Sequence, residues 1–186
     1  MSAVLRPVQD KGFSLIEVLV TIVILMVGLL GLAGLQGRAL TAQMEAYQRS
    51  QALILLKDMA DRINANRNDA TSYVTAGLGT GAACPAAGVS IASIDLNEWC
   101  EALLGAAETQ GGSQIGAMIG ARGCIYEVTP MAAGVPGEYL IAIAWQGFNS
   151  TAALTAGPAA ACGSGEYGDD AKRRVVTMPV AIADLG

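Results

Sequence analysis

Residues 11–20 read KGFSLIEVLV and set a glutamate, Glu17, near the start of an otherwise uncharged run. From Phe13 to Leu35 there is no other charge and no proline. As a helix this run extends roughly 34 Å at about 1.5 Å per residue, enough to cross the hydrocarbon of a bilayer. Arg6 and Lys11 precede it, which holds the N-terminal end on the cytoplasmic side. An ordinary secretory signal has a shorter apolar core followed by a small-x-small cleavage site, and GLLGLAGLQ around Ala33 supplies one only loosely. The chain therefore reads as one membrane-spanning helix with a head beyond it.

Composition narrows what the head can be. The chain has 186 residues and a formal net charge of −5, with a mean hydropathy of +0.45 and a pI near 4.6. No basic face is long enough to follow a phosphate backbone, so nucleic acid is not an expected partner. The one basic cluster, Lys172-Arg173-Arg174, directly follows Asp169-Asp170. There is no histidine, and Cys84, Cys100, Cys124 and Cys162 have no close CxxC pairing. Zinc ligation is therefore a poor match, no catalytic nucleophile sits beside a base, and neither metal nor cofactor is expected. An even cysteine count beyond the apolar run favours two disulfides. Three pairings are possible; joining consecutive cysteines across loop-rich stretches favours Cys84–Cys100 with Cys124–Cys162.

Past Leu35 the pattern becomes amphipathic. Ala52, Leu55, Leu56, Met59, Ala60 and Ile63 recur at three-four spacing, with Leu40, Met44 and Tyr47 starting the stripe earlier. Arg49, Lys57, Asp58, Asp61 and Arg62 take other faces. One helix from about Ser14 to Asn64 is predicted, and its second half must pack on a downstream sheet. SIDLNEWCEALLG predicts a second helix with Asp95 as N-cap, Glu98 three residues on and Gly105 as the stop. GLGTG at 77–81 and GGSQIGAMIG at 111–120 read as loops. GCIYEVTP, EYLIAIAWQG and RRVVTMPVAI read as three strands, MAAGVPG as a hairpin loop, and Pro179 marks the last strand as an edge. In the middle strand Tyr139, Ile141, Ile143 and Trp145 share one face, while Leu140, Ala142 and Ala144 share the other. The alanine face offers room for the long helix, although alternation alone does not say which face the helix takes. Trp99 and Trp145 read as packing residues. Glu166, Asp169 and Asp170 supply too few regularly spaced oxygens for calcium, and the Asn149-Ser150-Thr151 sequon reads as a turn.

KGFSLIEVLVTIVILMVGLLGLAGLQ resembles the class III signal of type IV pilins: a basic leader ending in Gly12, then Phe13, then Glu17 at the fifth position after the junction. DMADRINANR, YLIAIAWQG and RRVVTMPV are similar to the minor pilins of the PilV type, the pilus modification proteins. The resemblance implies an α+β, type IV pilin-like fold, a long N-terminal helix on an antiparallel sheet. It divides the chain into a cytoplasmic leader at 1–12, a transmembrane and filament-core helix at 13–35, an amphipathic continuation at 36–66 and a periplasmic head at 67–186. It also implies cleavage by prepilin peptidase between Gly12 and Phe13, N-methylation of Phe13, and a register-setting role for Glu17 against a neighbour's new amine. The implied partners are other minor pilins, the major pilin and a tip adhesin. The implied location is the inner membrane first and the pilus afterwards.

Gly28, Gly31, Gly34 and Gly37 recur every third residue. Steps of three drift by about 60° each on a helix, so they form no single packing stripe. Each weakens the helix by about 1 kcal/mol relative to Ala, which predicts a locally weak segment. The pilin resemblance implies the same, since a comparable stretch of pilins loses helical order in the assembled filament; many major pilins carry proline there, where this chain has Gly34. Two alternatives accompany the minor-pilin expectation. One is a type II secretion pseudopilin, which shares the first forty or so residues. The other is a signal-anchored envelope domain that binds a ligand and never polymerises. A DNA-uptake pilin fits the acidic head less well.

Overall fold

The computed structural model describes residues 12–105, 109–110, 113–114 and 118–183. The leader, apart from Gly12, and parts of the glycine-rich stretch at 111–120 lie outside the described residues. By internal contacts the chain divides after Ala42 into an N-terminal unit and a head. Helix α1, Leu15–Ala65, begins in the first and continues into the second.

Within the head, α1 buries Gln48, Ala52, Leu56, Met59, Ala60 and Ile63, a stripe at three-four spacing. Most of this stripe is the expected one. Its early members are not part of it: Met44 and Tyr47 are half exposed, and the polar Gln48 takes the buried position instead. After a short 3-10 segment, Arg67–Tyr73, come β1 (Thr75–Gly79), α2 (Ile91–Leu104), the short pair β2 (Thr109–Gln110) and β3 (Ser113–Gln114), then β4 (Arg122–Thr129), β5 (Gly137–Gln146) and β6 (Arg173–Ile182). The main sheet is antiparallel in the order β1-β4-β5-β6. The architecture is thus the expected α+β arrangement of a long helix on an antiparallel sheet.

Three details differ from the sequence expectation. GLGTG contributes most of β1, which has little strand propensity of its own and forms by pairing with β4. A side chain at Gly79 (φ 105°) would stand 2.5 Å from the carbonyl oxygen of Ala121, so this turn-side position requires glycine. Within GGSQIGAMIG, Ser113–Gln114 is β3, paired with β2, where a loop was expected. Helix α2 is capped by Ser90, whose side chain accepts from the Ser93 amide, and not by Asp95. The helix starts five residues earlier because Ser90 and Ser93 satisfy each other's polar groups, the Ser93 hydroxyl donating back to the Ser90 carbonyl at 2.7 Å. Gly105, at φ 85°, is the left-handed stop.

Which sheet face takes the helix, left open by the sequence, is settled by the core. Tyr139, Ile141, Ile143 and Trp145 face the main core with Leu56, Met59 and Ile63 of α1 and Trp99 and Leu103 of α2. Space comes from Gly123, where an added side chain would collide with the Trp99 ring. The alanine face does not receive the helix. Ala142 and Ala144 lie under the loop that carries Ala159, Cys162 and Tyr167, and a side chain at Gly163 would sit 3.1 Å from the Ala144 methyl. Alanine makes room there for loop backbone. The disulfide Cys124–Cys162 fastens this loop to β4, and Cys84–Cys100 fastens the 80s loop to α2. β6 lies at a sheet edge, as Pro179 indicated.

Candidate assembly segment

Phe13 is 84% exposed and precedes the first turn of α1. The amides of Glu17 and Val18 both donate to the Ser14 carbonyl, at 3.0 and 3.3 Å. Glu17 therefore lies in the first turn, where a carboxylate is favoured by the positive end of the helix dipole. Around and beyond it the helix exposes apolar side chains in every direction: Leu15, Ile16, Val18, Leu19, Ile22, Val23, Leu25, Leu29 and Leu30 are all solvent-facing. A helix that is apolar all round belongs in a bilayer or inside a bundle. By length and composition it can cross a membrane. Thr21, the one hydroxyl in its first half, returns its proton to the Val18 carbonyl at 2.8 Å, which lowers the cost of placing it in an apolar medium.

Gly28, Gly31, Gly34 and Gly37 all lie within continuous α1, and apart from the helix's own backbone nothing among the described residues stands within 4 Å of where their side chains would be. No close approach in this protomer demands glycine at any of the four.

In the head, polar anchors fix α1 on the sheet. The Glu45 carboxylate accepts from the amides of Phe148 and Asn149, at 3.2 and 3.3 Å, and from the Arg174 guanidinium at 3.3 Å. The sequon asparagine thus belongs to a pinned turn, since its carbonyl also accepts from Arg174 at 2.6 Å. Farther along α1, Arg62 donates to Asp58, Asp95 and Glu98. Burial alone would lower the pKa of Arg62, but its bonds to Glu98, Asp95 and Asp58 outweigh that and raise it. Tyr73, also donating to Asp95 at 2.5 Å, is pushed up to about 12 by burial and by that acceptor. Trp99 donates to the Leu55 carbonyl at 3.0 Å. Sequence reasoning saw Asp95 and Glu98 as capping residues and missed their partner. Their only signal was an arginine 33 and 36 residues away.

The acidic loop is engaged by its own chain. Glu166 pairs with Arg122 at 2.9 Å, Asp169 caps Ala171, and Asp170 accepts from the Gly165 amide, Ser164 and Arg173. The Gly165 amide above all, helped by Arg173 and Ser164, holds the Asp170 carboxyl below its ordinary range against an opposing desolvation. Arg173 is buried and also donates to the carbonyls of Leu154, Ala160 and Cys162. It clamps the loop that the second disulfide ties down. Among the described residues no group of three or more His, Cys, Asp and Glu side chains could hold a metal ion.

Comparison with known proteins bears on this geometry directly. The model of the prokaryotic N-terminal methylation motif matches residues 9–33, which contain Gly12, Phe13, Glu17 and the apolar half of α1. A second model, Type IV pilin Tt1218, matches residues 34–88, through the rest of α1 and β1 to the first disulfide. The chain belongs to the type IV pilin superfamily. Pilins are structural subunits, and this one has the apolar N-terminal helix and the disulfide-bonded sheet head of such a subunit. No curated protein and no solved structure gave a match.

Proposed function

We propose that the chain is a minor pilin of a type IV pilus, of the PilV type, which joins sibling minor pilins to prime or cap filament assembly beneath an adhesin. The observation that carries this reading is the pairing of a methylation-motif N-terminus with a first helical half whose apolar side chains are all exposed. Such a surface is stable in only two settings, a bilayer and a bundle of like helices. Cleavage after Gly12 by prepilin peptidase would release the amine of Phe13, which is then N-methylated. Residues 1–12 are the leader, 13–35 the anchor and later filament core, 36–66 the amphipathic continuation and 67–186 the periplasmic head.

Glu17 supplies the register. In the inserted state a carboxylate near the membrane surface is tolerated at modest cost. In the filament it would meet the Phe13 amine of a neighbour, and opposite charges about 4 Å apart attract by roughly 4 kcal/mol at an effective dielectric of 20. That attraction acts at one axial offset only. Gly28, Gly31, Gly34 and Gly37 would let the helix loosen during this transfer, since each lowers helix stability and none makes a close contact here. Disruption of the gene is expected to reduce surface piliation while the major pilin remains in the membrane. Glu17→Gln is expected to leave the subunit in the inner membrane and cut its recovery in sheared filaments by about tenfold or more. Unchanged recovery of the variant would overturn the register role.

A further inference from the structure

We propose that the open edge of β6 binds an extended partner segment as an added strand, and that the adjoining cavity selects an apolar residue and a cation two positions apart on it. The inference deepens the partner-bearing reading of the head and uses none of the N-terminal chemistry. β6 is ten residues long, and among the described residues no strand lies on its outer side. Its centre, Val175-Val176-Thr177-Met178, has β-branched residues and no charge. An open edge with an uncharged centre of this kind is a template for strand addition, and another extended backbone can pair with its main-chain groups.

Pro179 sets the register. It has no N–H to give to its β5 partner Leu140, so an outward-facing position costs the existing ladder nothing. The period of two then turns the main-chain groups of Val175, Thr177 and Ala181 toward the open side. On the same face of the sheet lies a cavity of about 270 Å³, lined by Val128, Leu140, Pro158, Pro179, Ala181 and Glu138 among others. Leu140 is opposite Pro179, and Glu138 is opposite Ala181. An incoming side chain beside Pro179 would reach over the flat ring to Leu140 and Pro158. Two residues along, a long side chain beside Ala181 would pass over that small methyl to Glu138. Glu138 accepts from the Thr129 hydroxyl at 3.2 Å and has no cationic partner among the described residues. The recognised pattern is therefore apolar-x-Lys or apolar-x-Arg, in either direction, on an extended segment.

The test uses the full chain in detergent micelles and synthetic peptides, without any filament. The probe is a labelled peptide of alternating Thr and Val that carries Leu and Lys two positions apart. Its counterpart has Glu in place of Lys. The first is expected to bind and to slow amide hydrogen exchange at Val175, Thr177 and Ala181. Glu138→Lys, an exposed substitution that leaves the core untouched, is expected to lower that affinity about tenfold or more and to reverse the preference between the two peptides. No binding up to about 1 mM, a dissociation constant worth only about 4 kcal/mol, would overturn the proposal. So would binding without β6 protection, or binding indifferent to Glu138→Lys. Any of these failures leaves the N-terminal reading intact, and failure of Glu17→Gln to alter filament recovery leaves this one intact.

Discussion

The Glu45 carboxylate and the Arg174 guanidinium meet at 3.3 Å although 129 residues separate them. The same carboxylate oxygen accepts from two consecutive backbone amides at the end of β5. This one side chain joins the first turn of α1 that belongs to the head to the last turn before the 150s loop. Glu45→Ala removes three hydrogen bonds at an exposed turn while Arg174 keeps the Asn149 carbonyl, which should cost about 0.5–1.5 kcal/mol. Thermal unfolding of the oxidised protein checks this, with Glu45→Gln expected to retain much of the stability because its amide oxygen still accepts.

Arg173 serves the opposite face. Its side chain is 1% exposed and donates to three carbonyls and to Asp170. Arg173→Ala takes this donor from the Leu154, Ala160 and Cys162 carbonyls, while Asp170 keeps the Gly165 amide and Ser164, and a loss of about 1–3 kcal/mol is expected. Denaturant titration should show a lowered midpoint with the slope little changed, and Arg173→Lys should not rescue it, since an ammonium lacks the planar fork.

Gly123 predicts a steric effect with no polar component. Any side chain there meets the Trp99 ring and the Leu103 methyl. Gly123→Ala is expected to destabilise by about 1–3 kcal/mol through overpacking, and Trp99→Leu in the same chain should return part of the loss. Measuring the single and double variants as a cycle separates this coupling from the cavity that Trp99→Leu creates alone.

The tyrosines set an alkaline limit. Burial is the main cause that pushes both Tyr73 and Tyr167 up to about 12, against an ordinary value of 10.0. A group whose pKa is raised by folding contributes its full stabilisation below its unfolded value and loses it as pH rises through the folded value. Stability should therefore decline between about pH 10 and pH 12, and Tyr167→Phe should flatten part of that decline. Asp170 acts in the other direction. Its pKa is lowered by folding, so its contribution is present above the ordinary 3.8 and is lost as pH falls below it. Melting temperatures across both ranges give the two slopes.

Much of this fold was legible because periodicity carries it. The apolar run from Phe13, the three-four stripe ending at Ile63 and the alternation of β5 are local patterns, and each became the expected element. What stayed hidden depends on partners far along the chain. β1 is a glycine-rich stretch that becomes a strand because β4 lies beside it. Asp95 looked like a cap because local reasoning could not see Arg62 or Tyr73. The alanines of β5 promised space without saying for what, and the loop fastened by Cys124–Cys162 takes it. For the assembly segment, the Gly12-Phe13 junction and Glu17 were readable because they form one short local motif, which the N-terminal methylation model also matches.

The most direct test of the account is the mass of the chain recovered from sheared, purified filaments, with its N-terminal peptide sequenced. The expected product begins at Phe13, carries one methyl group on its α-nitrogen and retains Glu17 unmodified. A chain beginning at Met1, one cut after Ala33, or a chain confined to the membrane fraction would contradict the account.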